Sequence, residues 1–191
     1  MTYKLKNVVE ETLSDDWVPL KKISYDYQAM DGSWNHMDRE AYFRPDAVAC
    51  LLYNSDKETV ILTQQFRMPV WSNNKEDAFI LEACAGILED ASAEAGILRE
   101  IEEETGYRLP HATKVFEVYS SPGAMTEKIH GFIAPYTEHE KVSEGGGLDE
   151  ENEDIKVVEY TYAEIKHMMK KHLIKDAKTL LLLQHAALTI F

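Results

Sequence analysis

The 191-residue chain is short of positive charge: 20 Lys and Arg stand against 34 Asp and Glu, a formal net charge of −14. A surface this acidic repels nucleic-acid backbones and anionic membranes, which argues against both as partners. Any polyphosphate ligand needs local Arg and Lys, or a divalent cation, to offset that field. Long apolar runs are also missing, since none reaches the ~18 residues of a membrane helix. The opening Met1-Thr-Tyr-Lys-Leu-Lys-Asn7 lacks the apolar stretch and small-residue cleavage site of a secretion signal. Cysteine is limited to Cys50 and Cys84, inside the apolar runs Ala47–Tyr53 and Ala78–Cys84. They read as small buried hydrophobes of a reduced compartment, not as a disulfide framework, so a cytoplasmic address is expected. There is no internal repeat, no low-complexity linker and no persuasive covalent nucleophile.

What is present is ordinary for a globular chain: 45% hydrophobic and 28% charged residues, enough for one full core with a small extension. Strand-like alternation covers Trp17–Tyr27, a turn falls at Asp31-Gly32, and a further strand is expected at Asp38–Phe43. Ala47–Tyr53 is apolar in both alternating registers, which predicts a strand buried on both faces. A turn at Asn54–Lys57 leads to a strand at Thr59–Gln65, and the alternation of Ala78–Cys84 stops at Ala85-Gly86. The period then changes from two to 3.6. Ser92 is placed to cap a helix, Gly106 to end it, and Ala95, Leu98, Ile101 and Thr105 to form its inward stripe. Strands are expected at Thr113–Ser120, Lys128–Pro135 and Ile155–Thr161, then helices at Ala163–His172 and Ala177–Thr189. Strands and helices without regular alternation imply an α+β sandwich with a mixed sheet. Residues 1–44 read as an appended strand segment and 45–191 as the main domain.

The central helix ends in Arg99-Glu100-Ile101-Glu102-Glu103-Glu104-Thr105-Gly106. Glu100, Glu103 and Glu104 share one face, and each like-charged pair costs roughly 0.2–0.5 kcal/mol. They also sit at the negative end of the helix dipole, at up to ~1 kcal/mol per exposed charge. Stability alone does not choose this arrangement. A hard divalent cation held by clustered oxygens turns the repulsion into binding, and Arg99 is placed to hold one carboxylate. A bare glutamate run is ordinarily a solvated acidic face. This one follows a strand, a glycine loop and a capped helix, and closes with Thr-Gly-Tyr107.

In that context the segment resembles the Nudix box: Gly, five residues, Glu, seven residues, then Arg-Glu-apolar-any-Glu-Glu-any-Gly-apolar. Its second half matches at every specified position. In the first half, twelve residues separate Gly86 from Arg99 where the box has thirteen, and the early glutamate's slot falls on Ala91. Further segments resemble the nucleoside-diphosphate-sugar branch of Nudix hydrolases, the GDP-mannose pyrophosphatases, with ADP-ribose pyrophosphatases as close relatives. They are Arg39-Glu40, Gln65-Phe66-Arg67, Glu82–Gly86, Ser121-Pro-Gly123 with Thr126-Glu127, Gly145–Gly147, Glu153-Asp154-Ile155 and Asp176–Thr179.

The resemblance implies an α/β/α sandwich with a mixed sheet, a homodimer with exchanged N-terminal strands, and Mg²⁺ (or Mn²⁺) as cofactor. It implies metal ligands at the Ala85 carbonyl, Glu100, Glu104 and Glu153, with Glu153 as the base that activates water, Glu103 as the second candidate, and Arg99 in support. It implies substrate contacts at Arg39, Glu40, Arg67, Ala85, Gly86, Glu104, Glu127 and Lys178, with Trp17 stacking on the base. The reaction it implies is hydrolysis of the diphosphate of a nucleoside diphosphate sugar, GDP-mannose first and ADP-ribose as the alternative. A nucleotide-sugar sensor without turnover and a purely structural acidic domain are the rival classes, and neither has a use for the repulsive cluster.

Other features read more plainly. Gly145–Gly147 lacks the Lys-Ser/Thr of a phosphate loop and reads as a flexible hinge carrying Glu153. Asp149–Asp154 resembles a calcium loop in composition only. His167, His172 and His185 read as surface or packing residues, and Arg44, Lys175 and Lys170-Lys171 as solvated charges.

Overall fold

Two compact units make up the chain, Met1–Asp46 with Tyr119–Lys128, and Ala47–Val118 with Ile129–Phe191. The computed structural model describes residues 4–89, 92–148, 150 and 153–191. The first unit takes in a segment, Tyr119–Lys128, that a linear boundary at residue 44 leaves out.

The first unit is a three-stranded antiparallel sheet of β1 (Leu5–Ser14), β2 (Leu20–Gln28) and β3 (Trp34–Tyr42), in that order. β2 and β3 pair without interruption from Leu20↔Tyr42 to Gln28↔Trp34, around a turn in which Gly32 takes φ +88°. The strand expected from Trp17 begins only at Leu20, after Pro19. β1 was not foreseen, and its irregularity explains why. Its apolar residues fall at 5, 8, 9 and 13, Asn7 has φ 55°, and the pairing with β2 shifts register between Lys6 and Val9. No strict alternation survives such a bulge.

The second unit is a seven-stranded mixed sheet. Along its main path β10 (Lys156–Thr161), β5 (Thr59–Phe66), β4 (Ala47–Asn54), β9 (Lys128–Pro135) and β8 (Thr113–Tyr119) lie side by side. β4 runs parallel to β9 and antiparallel to β5. As its composition predicts, β4 is buried on both faces: Val48 to Leu52 are all 0% exposed. Val48, Cys50 and Leu52 join one core with Ile97 and Ile101 of α2 (Ala93–Thr105). Ala49 and Leu51 join a second core with Ile165 of α3 (Tyr162–Lys170) and Leu182, Leu183 and Ala186 of α4 (Ala177–Thr189). A helix layer on each face makes the expected α/β/α sandwich.

Two details differ from the sequence expectation. The run Ala78–Cys84 is not one strand: β6 (Phe79–Glu82) pairs with β5, and β7 (Cys84–Ile87) steps across to β4, continuing through Gly86. The inward stripe of α2 is Ile97, Ile101 and Thr105 with Gly96 and Glu104, while Ala95 is exposed and Leu98 only half-buried. The short α1 (Met68–Asn73) and a 3-10 turn at Glu138–Glu140 carry no buried residue and left no periodic signal.

The step between β6 and β7 is fastened by α4. Asp176 caps α4, accepting from the Thr179 N–H at 2.9 Å and the Thr179 hydroxyl at 2.6 Å. That hydroxyl accepts in turn from the Ala83 N–H at 2.6 Å, and Thr179 is 0% exposed. Thr179→Val keeps the shape and orphans a buried N–H, so it should lower unfolding free energy by about 1–3 kcal/mol in urea titration. An unchanged midpoint would show that the junction is held elsewhere.

Candidate active site

The C-terminal turns of α2 present the acidic cluster because both helix ends are fixed. The Ser92 hydroxyl accepts from the Ala95 N–H at 3.1 Å. At the other end Gly106 takes φ 78°, where a Cβ would lie 2.2 Å from the Ser143 carbonyl oxygen. The four carboxylates then divide. Glu102 points away and takes both bonds of a bidentate pair with Arg108, at 2.8 and 2.6 Å. Glu100 and Glu103 are both held by Arg99, at 2.8 and 2.7 Å, so this arginine fixes two carboxylates rather than one. Glu104 turns inward and is 2% exposed.

β7 lies against the two inner carboxylates. The Ala85 N–H donates to Glu104 Oε2 at 3.3 Å, and the buried Cys84 thiol donates to the same carboxylate. The absent side chain of Gly86 leaves the space that Glu100 fills, since a Cβ there would stand 2.1 Å from the Glu100 carboxyl carbon. A side chain at this position would push the Glu100 carboxylate away from β7.

The glycine triplet is docked rather than loose, which corrects the hinge expectation. Gly145, Gly146 and Gly147 take φ of 68°, 112° and 85°. The Gly146 N–H donates to the Glu104 carbonyl at 2.8 Å and the Gly147 N–H to the Glu103 carbonyl at 3.1 Å. These are carbonyls that the end of a helix leaves without partners. A Cβ on Gly147 would come within 2.6 Å of the Glu153 Cβ, so the triplet sets Glu153 down beside α2. The Leu148 N–H donates to Glu153 Oε2 at 3.1 Å.

The electrostatic consequence is a crowded, partly buried nest of carboxylates. Burial, then repulsion from Glu103 and Glu153, pushes Glu100 up to about 7 against the pull of Arg99. Burial, then repulsion from Glu100 and Glu153, pushes Glu104 up to about 8 against the Cys84 and Ala85 donors. Once ionised, oxygen donors crowded in this way suit a hard divalent cation, which competes with the protons they otherwise retain. Among the described residues no three such groups already converge on one coordination centre; Arg99 supplies the counter-charge to Glu100 and Glu103. The early-glutamate slot at Ala91 lies outside the described residues, as do positions 149, 151 and 152 before Glu153.

A second charged group in the same unit involves Arg67 and Lys178. Between them stands Glu82, a residue that sequence reasoning placed in a motif but gave no role. Glu82 is 4% exposed; its Oε2 accepts from Arg67 Nε at 2.7 Å and its Oε1 from Lys178 Nζ at 2.6 Å. Lys178 also meets Asp176 at 3.0 Å. Burial alone lowers the affinity of Lys178 for its proton, but the Glu82 and Asp176 carboxylates outweigh that and raise it. The signal available in the sequence was a lone charge in an apolar alternating run.

The remaining expected residues belong to the other unit. Arg39 and Glu40 lie on β3, where Arg39 donates to the Asp38 carbonyl at 2.7 Å and Glu40 is exposed across from Lys22. Trp17 is 75% exposed. Arg44, expected to be a solvated charge, instead lies over the Trp17 ring at 4.9 Å and meets the buried Glu127 carboxylate at 3.3 Å through Nε. Nothing in the local sequence announced that contact, because Glu127 comes from a distant segment of the same unit.

Comparison with known proteins agrees with this geometry. The model of the NUDIX domain matches residues 43–183, and that of the GDP-mannose pyrophosphatase NudK N-terminal domain matches residues 4–42. The chain is 43% identical over 188 residues to the GDP-mannose pyrophosphatase of Cronobacter sakazakii, covering 98% of this chain and 97% of that one. Identity to the enzyme of the same name from Pectobacterium atrosepticum is 45% over 186 residues, covering 97% and 95%. For the Escherichia coli K12 protein it is 40% over 185 residues, covering 97% and 96%. Among solved structures an ADP compounds hydrolase superposes with a TM-score of 0.71 at 17% identity, covering 98% of this chain and 93% of that one, a likeness of fold alone. Domain match, near-full-length identity and shared fold agree on one assignment, and the chain belongs to the Nudix family of hydrolases.

Proposed function

We propose that the chain is a divalent-metal-dependent pyrophosphatase hydrolysing GDP-mannose to GMP and mannose 1-phosphate, with Mg²⁺ as its ion and Mn²⁺ as a substitute. The observation that carries the reaction class is the mutually repelling pair of the partly buried Glu100, filling the space beside Gly86, and the buried Glu104, bonded to the Ala85 N–H, both pushed above the usual carboxylate range. Support for the substrate is identity of 40–45% over nearly the whole chain to GDP-mannose pyrophosphatases of three bacteria.

In this reading the Ala85 carbonyl and the carboxylates of Glu100, Glu104 and Glu153 would hold the ion. A bound divalent cation neutralises diphosphate oxygens and lowers the pKa of a coordinated water. The chain's own residues do the rest. Glu153 takes the proton of the attacking water: one oxygen is held by the Leu148 N–H, and the other has no hydrogen-bond partner among the described residues. Glu103 is the alternative base, but its carboxylate is engaged by Arg99. Arg99 therefore acts by positioning Glu100 and Glu103. The P–O–P bridge opens, leaving one phosphate on each product. Arg67 and Lys178 bind the diphosphate beside Ala85 and Gly86, Trp17 stacks on the base, and Arg39, Glu40 and Glu127 take the remaining contacts. We assign a cytoplasmic homodimer with exchanged N-terminal strands. It would cover β1, whose Leu5, Val8, Val9 and Leu13 are 44–62% exposed, and a protein sedimenting as a monomer at micromolar concentration would remove that assignment.

Purified protein with Mg²⁺ should turn over GDP-mannose with a higher kcat/KM than ADP-ribose; equal or better use of ADP-ribose would overturn the substrate. Outer partners of a bound metal are worth about 10–100-fold, so Glu104→Gln, which removes a ligand, should lower kcat at least ~100-fold with the fold retained. A full rate in that variant would remove the metal assignment.

Glu100 and Glu104 also set a pH dependence for the metal-free protein. Their folded pKa values, about 7 and about 8, lie above those of the unfolded chain. The folded state thus holds protons that the unfolded state has released, and stability falls as pH rises through that window. In EDTA, Tm should drop between about pH 5.5 and 8.5, and Glu104→Gln should flatten the upper part of the drop. Added Mg²⁺ should raise Tm more at the alkaline end, because binding needs the ionised carboxylates. An identical slope in wild type and variant, read by differential scanning fluorimetry, would refute the link.

A further inference from the structure

Glu82 is the most enclosed charged side chain that the proposed reaction leaves without a role. It ends β6 at 4% exposure, and a carboxylate so deeply buried persists only when paired. Its two oxygens are divided between two cations that differ in what they have left to offer. Lys178 is largely enclosed, with a side chain 13% exposed, and is shared with Asp176. The Arg67 side chain is 39% exposed, and only its Nε is engaged. Among the described residues its two terminal nitrogens have no hydrogen-bond partner. A guanidinium is a rigid planar fork, so fixing Nε fixes the plane and leaves the Nη1–Nη2 edge for an incoming pair of oxygens.

Charge counting sharpens the point. Arg67 and Lys178 contribute +2, and Glu82 and Asp176 contribute −2, so the group is neutral as a whole. It cannot draw a diphosphate by net charge, only by a donor edge already oriented.

We propose that Glu82 is a positioning residue for the diphosphate: by holding Arg67 through Nε and tying it to Lys178, it presents the free edge of Arg67 before substrate arrives. This rests on the reading of Arg67 and Lys178 as diphosphate-binding residues. A merely structural Glu82, fastening β6 to the start of α4, would affect melting but not ligand affinity.

The test is calorimetric titration of GDP in EDTA into wild type, Glu82→Gln, Arg67→Lys and the double variant. Glu82→Gln should weaken GDP binding about tenfold, the loss expected of one charge-assisted hydrogen bond. If Glu82 acts through Arg67, adding Glu82→Gln to Arg67→Lys should weaken binding no more than about twofold further. An unchanged Kd in Glu82→Gln, or a full additive loss in the double variant, overturns the proposal. Should Glu82→Gln fail to fold, Glu82→Asp keeps the buried charge but shortens its reach by one methylene, loosening the hold on Arg67 Nε, and the same comparisons decide. GDP-mannose hydrolysis by wild type with Mg²⁺ is measured in parallel, and the Glu82→Gln loss should fall on KM. Absent turnover would sink the functional reading, while the GDP titrations would still decide the role of Glu82.

Discussion

Repulsion among Glu100, Glu104 and Glu153 is the constraint to which the second unit is built. Three carboxylates would spread apart on a free surface. Here Arg99 holds the first, the Ala85 N–H and the Cys84 thiol hold the second, and the glycine triplet sets the third beside them. Each support opposes a force that a helix C-terminus increases, since the dipole there already disfavours negative charge. The same triplet that seats Glu153 also satisfies the carbonyls of Glu103 and Glu104. Capping the helix and assembling the site are therefore one set of bonds.

Much of this was legible in the residues, for identifiable reasons. β4 declared itself because apolar side chains occupy both alternating registers, and both cores of the sandwich grow from it. The bounds of α2 followed from Ser92 and Gly106, whose short polar side chain and left-handed backbone do jobs that few residues can. The acidic cluster stood out because it opposed the stability of its own helix. Elements without such a local conflict or period stayed hidden. β1 is bulged, α1 is a single exposed turn and a half, and the break between β6 and β7 interrupts no alternation in Phe79–Cys84. Ala95 was given an inward place by spacing alone; the packing of Ile97 and Ile101 rotated the stripe away from it. Arg44 and Glu82 were missed for a related reason: Arg44 meets Glu127, and Glu82 meets Lys178 across 96 residues as well as the nearer Arg67. No local window contains Arg44 with Glu127 or Glu82 with Lys178.

Charge distribution explains why so acidic a chain can still be matched to a doubly charged anion. With 34 acidic residues against 20 basic ones, the long-range field opposes a diphosphate everywhere. In the proposed reading, what favours it acts at short range, through a cation among the carboxylates of α2 and through oriented donors such as the free edge of Arg67. Both are contact effects, less screened and more directional than a general positive surface.

The segment Glu82–Gly86 joins these two functions in five consecutive residues. Glu82 takes Arg67 and Lys178, the Ala83 N–H is held by Thr179, the Cys84 thiol and the Ala85 N–H reach Glu104, and Gly86 yields space to Glu100. Between Glu82 and Cys84 the chain changes partner strand, from β5 to β4. That step is what lets one short stretch address α4 at its start and α2 at its end. A single inserted residue would move every later contact by one position and turn its side chain to the opposite face, separating the cation pair from the carboxylate nest. Spacing within the segment is thus under direct physical constraint. The separation between the Arg67–Lys178 pair and the carboxylates of α2 is therefore bridged by five residues that cross from one partner strand to another.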